Sequence, residues 1–265
     1  MKIISFNIGL KIDNSAAVAE YLLGSDADII CLQEVVRPLE PSVFPIYRSE
    51  KFIREKLKAV YPYYFFAPEW VADKLINKDN VRDQGGMAEQ GKFILSKYPI
   101  VYGANYFYHK VYEFTRDRTR FHEGDDHGRT LQLCEIDANG NIIQIGNVHG
   151  LYSEDKQDTE RSKTQNTFIL EKLRERIMPT ILLGDFNLAP ETESMALVDK
   201  EYENLIKKFG ILETRPDFGK RPGMKYTAVD YIFVSHHLAA KNCMTDLTEI
   251  SDHYPIIAEL DFSQS

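Results

Sequence analysis

An apolar run at residues 180–183 ends abruptly in the tetrapeptide Gly-Asp-Phe-Asn at positions 184–187. A proline precedes the run and a glycine follows it, so the pattern predicts a short, buried strand. Because side chains alternate along an extended chain, Asp185 and Asn187 should point the same way at the strand's carboxyl end. A carboxylate can act as a base, and an amide offers both donors and an acceptor. The pair suits a cleft that holds a water molecule beside a phosphate oxygen.

Other predicted strands also finish on polar side chains that a core does not need. They are Asn7, Glu34, His149 and the cluster Ser251-Asp252-His253, and Asp230 interrupts the apolar stretch 228–234. A buried carboxylate is costly unless it is paired or binds a metal. Each residue alone could cap a helix or close a turn. Their joint placement at strand ends favours one shared site.

The remaining pattern predicts strands and helices in mixed order. Strands are expected at residues 2–8, 28–33, 63–66, 92–95, 130–137, 141–148, 180–183, 229–234 and 256–260, and helices at 14–23, 49–60, 156–176 and 193–209. An Asn-Gly pair at 139–140, between two alternating runs, is a strong hairpin signal. The polar segment 73–90 is the best candidate for a mobile loop. Hairpins mixed with helical crossovers favour an α+β layered sandwich in a single domain, residues 1–265.

The composition is ordinary for a soluble globular protein, with 43% hydrophobic and 27% charged residues. A net charge of −8 argues against a protein that coats nucleic acid. No apolar stretch is long enough for a membrane span, and the N-terminus lacks the apolar core of a secretion signal. Cys31 and Cys134 lie in apolar runs, which suits buried reduced thiols. These features predict a cytoplasmic protein with no evident obligate protein partner.

The polar strand ends occur in an order that resembles the endonuclease/exonuclease/phosphatase superfamily. Each matching segment is weak alone, but the ordered set from residue 5 to residue 253 is specific. A further segment at 91–100 resembles the family's strand before a variable insert. The matching segments are Ser5-Phe6-Asn7, Leu32-Gln33-Glu34-Val35, Asn147-Val148-His149, Gly184-Asp185-Phe186-Asn187, Val229-Asp230-Tyr231-Ile232 and Ser251-Asp252-His253.

The resemblance implies a four-layered αββα sandwich of two packed mixed sheets with outer helices, and an active site at one end of the sheets. It implies hydrolysis of a phosphodiester or phosphomonoester with Mg²⁺ or Mn²⁺. The metal-binding residues would be Asn7, Glu34 and Asp252. Glu34 supplies the hard oxygen ligand that Mg²⁺ prefers.

The resemblance assigns the catalytic residues to parts of an in-line displacement by water. Asp185 would position or deprotonate the water, and Asn187 would donate to the phosphate. His253 would donate to a phosphate oxygen, and His149 would contact the phosphate from the opposite side. Asp230 would fix the tautomer of His253 and keep it protonated. We therefore expect these two side chains to be hydrogen-bonded, with the pKa of His253 raised.

Three weaker candidates have two interpretations each. Arg129, at the start of a predicted strand, could bind the phosphate with His149 and Asn187, or could be a solvated cation. The aromatic segment 102–112 could stack on a base or a lipid headgroup, although core packing is favoured for most of it. A group of basic residues with interleaved acids favours an exposed loop over a nucleic-acid track. This group is Arg116, Arg118, Arg120, His122 and His127.

The substrate stays open between two classes. A compact phosphoester or a nucleic-acid end is favoured, because the net charge gives no long-range attraction to a polyanion. Action on duplex DNA or RNA is the alternative, if Arg129 and the loop at 116–120 line one rim of the cleft. A catalytically silent binding module is a remote third possibility, and the intact set of acids and histidines argues against it.

Overall fold

The computed structural model describes residues 1–9, 14–77, 80–114, 127–220 and 226–262. Two short 3₁₀ helices, Pro45–Tyr47 and Asp217–Gly219, lie in its loops. The strands are β1 (Lys2–Asn7), β2 (Ile29–Pro38), β3 (Tyr63–Asn77), β4 (Asn80–Ser96), β5 (Ile100–His109), β6 (Arg129–Ala138), β7 (Asn141–His149), β8 (Thr180–Asp185), β9 (Glu203–Asn204), β10 (Asp230–Val234), β11 (Leu238–Thr245) and β12 (Ile256–Phe262). The helices are α1 (Ser15–Gly24), α2 (Ser49–Leu57), α3 (Glu160–Arg174), α4 (Glu193–Asp199) and α5 (Leu205–Lys208).

The strands form two mixed sheets of six strands each. The first sheet has the order β11-β12-β1-β2-β4-β3, and the second has the order β5-β6-β7-β8-β10-β9. Among the described strands, each sheet holds one parallel pair, β1–β2 in the first and β7–β8 in the second. Neighbouring strands elsewhere in the two sheets run antiparallel.

The core follows from the alternation of side chains along the strands. Ile3 and Ile29 point between the sheets and join a buried cluster shared with the second sheet. Ile4 and Ile30, one residue further along, pack beneath α1 and α2 on the outer face. Ile169, on α3, packs against the second sheet. The layers are thus helix, sheet, sheet and helix, which confirms the predicted αββα sandwich.

The two parallel pairs bring polar residues to one end of the sandwich. Asn7 ends β1, and His149 ends β7 directly opposite Asp185 at the end of β8. Because β10 runs antiparallel to β8, its first residue Asp230 pairs with Asp185 in the same row. The start of β12 pairs with β1 through Ile256 and Ser5, which places the turn before β12 at this end too.

The prediction of a mobile loop at 73–90 is wrong for the described part of that segment. β3 and β4 form a long hairpin that stays paired as far as Asn77 and Asn80. One of its polar residues has a cross-strand partner, since Glu89 on β4 contacts Arg37 on β2 at 2.6 Å. Polar residues in a paired ribbon resemble a loop in sequence, because composition does not record cross-strand partners.

Two predicted helices also differ from the structure. The helix expected at 156–176 begins only at Glu160, where Thr159 forms a capping box with Ser162. The helix expected at 193–209 is split into α4 and α5, because Asn204 pairs with Phe233 of β10 and then caps α5. Tertiary pairing therefore overrides helix propensity at residues 193–209. The strand β11 was also not predicted.

The three cysteines Cys31, Cys134 and Cys243 are free and buried, as predicted for the first two. Among the described residues, each helix is too short or too polar to cross a membrane.

Candidate active site

A registered row of polar side chains lies at the ends of three neighbouring strands of the second sheet. His149, Asp185 and Asp230 occupy matching positions on β7, β8 and β10. All three are buried. The Oδ2 atom of Asp185 lies 3.9 Å from His149 Nε2 and 3.7 Å from Nε2 of His253. The Asp185 carboxylate therefore lies between the imidazoles of His149 and His253.

His253 is held from behind by Asp230. Its Nδ1 lies 2.8 Å from Asp230 Oδ2 and 3.0 Å from Oδ1. The hydroxyl of Thr214 donates to the same Oδ2 at 2.6 Å. Burial acts to lower the pKa of His253, but the negative charges of Asp230 and Asp185 outweigh it and raise the pKa above its ordinary value of 6.5. The predicted pairing and the direction of the pKa shift are confirmed.

Arg215 contacts the other side of the same ring. Its Nη2 lies 2.7 Å from His253 Nε2 and 3.1 Å from Asp252 Oδ2. Since a guanidinium only donates, Nε2 must accept in this arrangement, and the ring carries its proton on Nδ1. Asp230 thus favours a charged His253, whereas Arg215 opposes it. No sequence motif marks Arg215, which lies in the loop that follows α5.

Glu34 lies in a β-bulge of β2 and not at the end of a strand as predicted. The register with β4 shifts between Leu32 and Val35, and Glu34 has φ +58°. A bulge re-aims a side chain, and a left-handed residue other than glycine is held by its surroundings. Here the carboxylate points at the site, where Oε1 lies 3.7 Å from His149 Nε2.

Asn7 joins the first sheet to the second across this end. Its Nδ2 donates to Asp185 Oδ2 at 3.1 Å and lies 3.5 Å from Glu34 Oε1. Its Oδ1 accepts from the backbone N–H of Gly9 at 3.0 Å. A side chain at Gly9 would lie 2.7 Å from Asp252, so this glycine allows the turn to approach that carboxylate closely.

Asp185 and Asn187 form a tight local unit. The backbone N–H of Asn187 donates to Asp185 Oδ1 at 2.8 Å, and Asn187 has φ +57°. Lys156, with 1% of its surface exposed, donates from Nζ to Asn187 Oδ1 at 2.7 Å. An ammonium cannot accept a hydrogen bond, so the amide atom of Asn187 that faces Lys156 must be the oxygen and the other must be the nitrogen. Lys156 was predicted only as part of a helix, and its role in the site was missed.

His149 has a basic partner where His253 has an acidic one. Arg129 Nη1 lies 2.8 Å from His149 Nδ1 and 3.6 Å from Glu69 Oε2. Burial, and then the positive charges of Arg129 and Lys92, hold the pKa of His149 well below its ordinary value. The interpretation of Arg129 as a solvated cation is wrong, since it is 5% exposed.

The donor set fits a divalent cation. Burial, and then the negative charge of Asp252, raise the pKa of Glu34, so a cation here would relieve unfavourable charge. Three buried groups, Asp185, Asp230 and His253, also present ligand atoms within 4.8 Å of one another and could hold a metal ion. Asp230 and His253 bind each other, whereas the Asp185 carboxylate accepts from Asn7 and from the backbone of Asn187.

The weaker candidates have mixed outcomes. The aromatic segment is mostly the strand β5. Tyr106 and Tyr108 are half-buried and pack against the core cluster, as predicted, whereas Tyr102 and Tyr112 are exposed. The hydroxyl of Tyr108 donates to the backbone carbonyl of His149 at 2.8 Å. His127 was expected in an exposed loop but is buried, with its ring 5.4 Å from that of Trp70. The rest of the basic group lies outside the described residues.

A family model supports the resemblance across almost the whole chain. The model of the endonuclease/exonuclease/phosphatase family matches residues 4–253. The chain belongs to this family. Its members are nucleases and phosphatases, so hydrolysis of phosphoesters is the chemistry of the group. No significantly similar sequence is found among curated proteins.

Solved structures share the fold at low sequence identity. The endonuclease/exonuclease/phosphatase protein from Beutenbergia cavernae is 16% identical, with a TM-score of 0.77 over 99% of this chain and 71% of the other. The mannosyl-6-phosphatase from Bacteroides thetaiotaomicron is 18% identical, with a TM-score of 0.63 over 99% and 100%. TDP2 from Caenorhabditis elegans is 19% identical, with a TM-score of 0.68 over 99% and 74%.

Proposed function

We propose that this chain is a divalent-metal-dependent phosphoesterase that hydrolyses a phosphodiester or phosphomonoester by in-line attack of water. The observation that carries the proposal is the row His149, Asp185 and Asp230, completed by His253 on the far side. We take residues 1–265 as one catalytic domain. We also propose a cytoplasmic location, supported by the three buried free cysteines.

Asp185 is the proposed base for the attacking water. Its Oδ1 is held by the backbone N–H of Asn187, and its Oδ2 faces the space between the two histidines. Asn187 orients the carboxylate at Oδ1 and Asn7 orients it at Oδ2, and the second lone pair of Oδ2 can still accept a proton from water. Water bound at Oδ2 would thus lie at the centre of the row.

Donors to the phosphate would come from three side chains. Asn187 has its amide oxygen on Lys156, which leaves its Nδ2–H groups for Gly150 and the substrate. His253 would donate from Nε2 once Arg215 turns to the incoming phosphate, and His149 would donate from the opposite side. Preorganised donors of this kind stabilise the charge that develops in the transition state.

Asn7, Glu34 and Asp252 are the residues that we propose to hold Mg²⁺ or Mn²⁺. When bound, such an ion neutralises charge on a phosphoester and lowers the pKa of a bound water. Asn7 already lies between Glu34 and Asp185, and its amide would have to present Oδ1 to an ion in place of the Gly9 N–H.

The placement of charge supports a compact phosphoester or a nucleic-acid end as substrate. The cations of the site, Arg129, Lys156 and Arg215, are buried or nearly so, and their charge is concentrated around a space for one phosphate group. Several cations on the surface are paired with acids, such as Lys97 with Asp26 at 2.7 Å. A duplex would need a row of unpaired cations along its backbone.

Two alternative functions remain, and the first is the better supported. A nuclease acting on duplex DNA or RNA would require a basic rim; Arg129 is too buried to form part of one, and the loop at 116–120 lies outside the described residues. A catalytically silent binding module would not need Asp185 poised between two differently supported histidines.

Metal dependence is tested by activity and by stability together. The protein in chelator should be inactive on bis-para-nitrophenyl phosphate and on para-nitrophenyl phosphate, and Mg²⁺ or Mn²⁺ should restore hydrolysis. The same ions should raise the melting temperature, because they bind the folded state. Glu34→Gln should lose most of that rise. Full turnover in chelator would contradict the proposal.

The substrate class is tested by a salt titration of binding with inactive Asp185→Asn protein. A duplex of about two to three helical turns should bind weakly, with a slope that indicates few phosphate contacts. Tight binding at physiological salt, with a slope equal to roughly six or more contacts, would make a duplex nuclease the leading function.

A further inference from the structure

A fully buried lysine lies between the two sheets, away from the row of catalytic residues. Lys92, on β4, has 0% of its surface exposed. Its Nζ donates to Glu69 Oε1 at 2.6 Å, to the Thr130 carbonyl at 2.7 Å and to Thr130 Oγ1 at 2.6 Å. All three ammonium hydrogens therefore have partners. A buried ion pair often contributes no more to stability than apolar residues of similar volume, so stability alone does not account for it.

Glu69, on β3, connects this lysine to the second sheet. Its Oε1 is taken by Lys92 and by the backbone N–H of Thr130 at 3.2 Å. Its Oε2 makes no hydrogen bond within the described part of the chain, but lies 3.6 Å from Arg129 Nη1. The carboxylate is thus held at one oxygen by both sheets, through Lys92 and Thr130, and its other oxygen faces a guanidinium on β6.

Arg129 carries this arrangement to the active site. Its Nη1 lies 2.8 Å from His149 Nδ1. A guanidinium has no acceptor atom, so Nδ1 must be the unprotonated nitrogen of the ring. The ring proton is then on Nε2, which faces the site at 3.7 Å from Glu34 Oε1 and 3.9 Å from Asp185 Oδ2.

We propose that Lys92, Glu69 and Arg129 form a positioning chain that fixes His149 as the tautomer with its proton on Nε2 and aims that N–H at the phosphate. The chain spans both sheets, so the packing of the sandwich sets the orientation of the ring. The claim that this Nε2–H meets a phosphate rests on the proposed function. The tautomer itself is a property of the free protein.

The decisive experiment records ring nitrogen chemical shifts by NMR on histidine labelled with ¹⁵N, with His149 assigned by the loss of its signals in His149→Gln. The unaltered protein should show Nε2 protonated and Nδ1 unprotonated at His149. Arg129→Met removes the donor and should give a mixture of tautomers. Arg129→Lys keeps a donor and should restore the single form. A variant Arg129→Met that retains the Nε2–H form would overturn the proposal.

Kinetics on bis-para-nitrophenyl phosphate give the second measurement. A misaligned catalytic group can cost on the order of 10²-fold in rate. Arg129→Met should lower kcat by about that factor with little change in KM, and Arg129→Lys should recover most of it. Equal losses in Arg129→Met and Arg129→Lys, with the tautomer unchanged, would mean that Arg129 acts in some other way.

Two further variants separate positioning from folding. The double variant Lys92→Met/Glu69→Gln removes the buried Lys92–Glu69 ion pair as a unit and leaves an amide oxygen to face Arg129, so it should fold and show a smaller loss of tautomer purity than Arg129→Met. Glu135→Gln is the matched control, because Glu135 is also on β6 but contacts Arg176. It should leave His149 unchanged, and a tautomer change in this control would count against the chain. Correct tautomers in a protein that hydrolyses no phosphoester would refute the proposed function and leave the positioning chain standing.

Discussion

The two histidines of the site are supported by groups of opposite charge. His253 has the carboxylate of Asp230 against its Nδ1, whereas His149 has the guanidinium of Arg129 there. The pKa of His253 is accordingly raised and that of His149 is lowered well below its usual value. An acceptor behind a ring favours the charged, donating form, and a donor behind a ring keeps it neutral.

This difference predicts different protonation states for the two rings when phosphate is bound. Both can present a proton on Nε2 to one phosphate from opposite sides. His253 can carry a positive charge while it does so, and His149 cannot without losing its bond to Arg129. Once Arg215 has left His253 Nε2, we expect one charged and one neutral donor around Asp185, which limits the repulsion between two cations at close range.

Loss of the acidic support should have the largest effect. Asp230→Asn keeps the shape of the side chain but no longer favours the charged ring, and it can hold the wrong tautomer. The comparable change in a Ser-His-Asp triad costs about 10⁴-fold, so we expect a loss of about 10³-fold or more in kcat. The assay is turnover on the best phosphoester found. Near-normal turnover would remove Asp230 from the account.

Removal of each central group comes next. Asp185→Asn and His253→Ala should each lose on the order of 10²-fold or more in turnover while the protein stays folded. His149→Ala should lose less than His253→Ala, because a neutral donor contributes less than a charged one. Circular dichroism is the control for folding. The opposite ranking of the two histidines would reverse the comparison.

Much of the site was predictable because an apolar run that stops at a polar residue marks the end of a strand. Asn7, His149, Asp185 and Asp230 end or begin strands, and the parallel pairs bring those ends together. Glu34 was placed at the site, but its bulge was not foreseen, since a bulge depends on the register with β4. The prediction followed alternation and strand boundaries, which local sequence records.

The supporting residues were not predictable in the same way. Lys156, Arg215 and Thr214 lie in loops whose course depends on the whole fold, and a polar residue in a loop has no period to reveal it. The sequence pattern places Lys92 in a strand and assigns no role to Glu69. Their roles depend on contacts between the two sheets, which no pattern within one strand encodes.

Arg215 provides a further test of the role of His253. It donates to Nε2 in the free protein, so an anion must draw it away before that nitrogen can donate. Arg215→Gln should weaken inhibition by inorganic phosphate about tenfold, the loss of one charge-assisted hydrogen bond. Lys220→Gln, a nearby cation paired with Glu213 and Asp217, is the control. Unchanged inhibition in Arg215→Gln would show that Arg215 does not bind the phosphate.

The smallest expected effect is on stability as a function of pH. The folded pKa of His149 is lowered, so its contribution is lost as pH falls below the unfolded value of 6.5. The folded pKa of His253 is raised, so its contribution is full below 6.5 and is lost as pH rises through the folded value. Urea unfolding should therefore show His149→Gln flattening the acid side and His253→Gln flattening the alkaline side. Equal effects of both variants on one side would contradict the assignment.

The most direct test is a neutron crystal structure of the deuterated protein with inorganic phosphate bound in the site. The account predicts deuterium on both ring nitrogens of His253 and only on Nε2 of His149, with both Nε2 atoms facing the phosphate. Deuterium on Nδ1 of His149, or a neutral His253 that still accepts from Arg215 with phosphate bound, would contradict the division between one charged and one neutral donor.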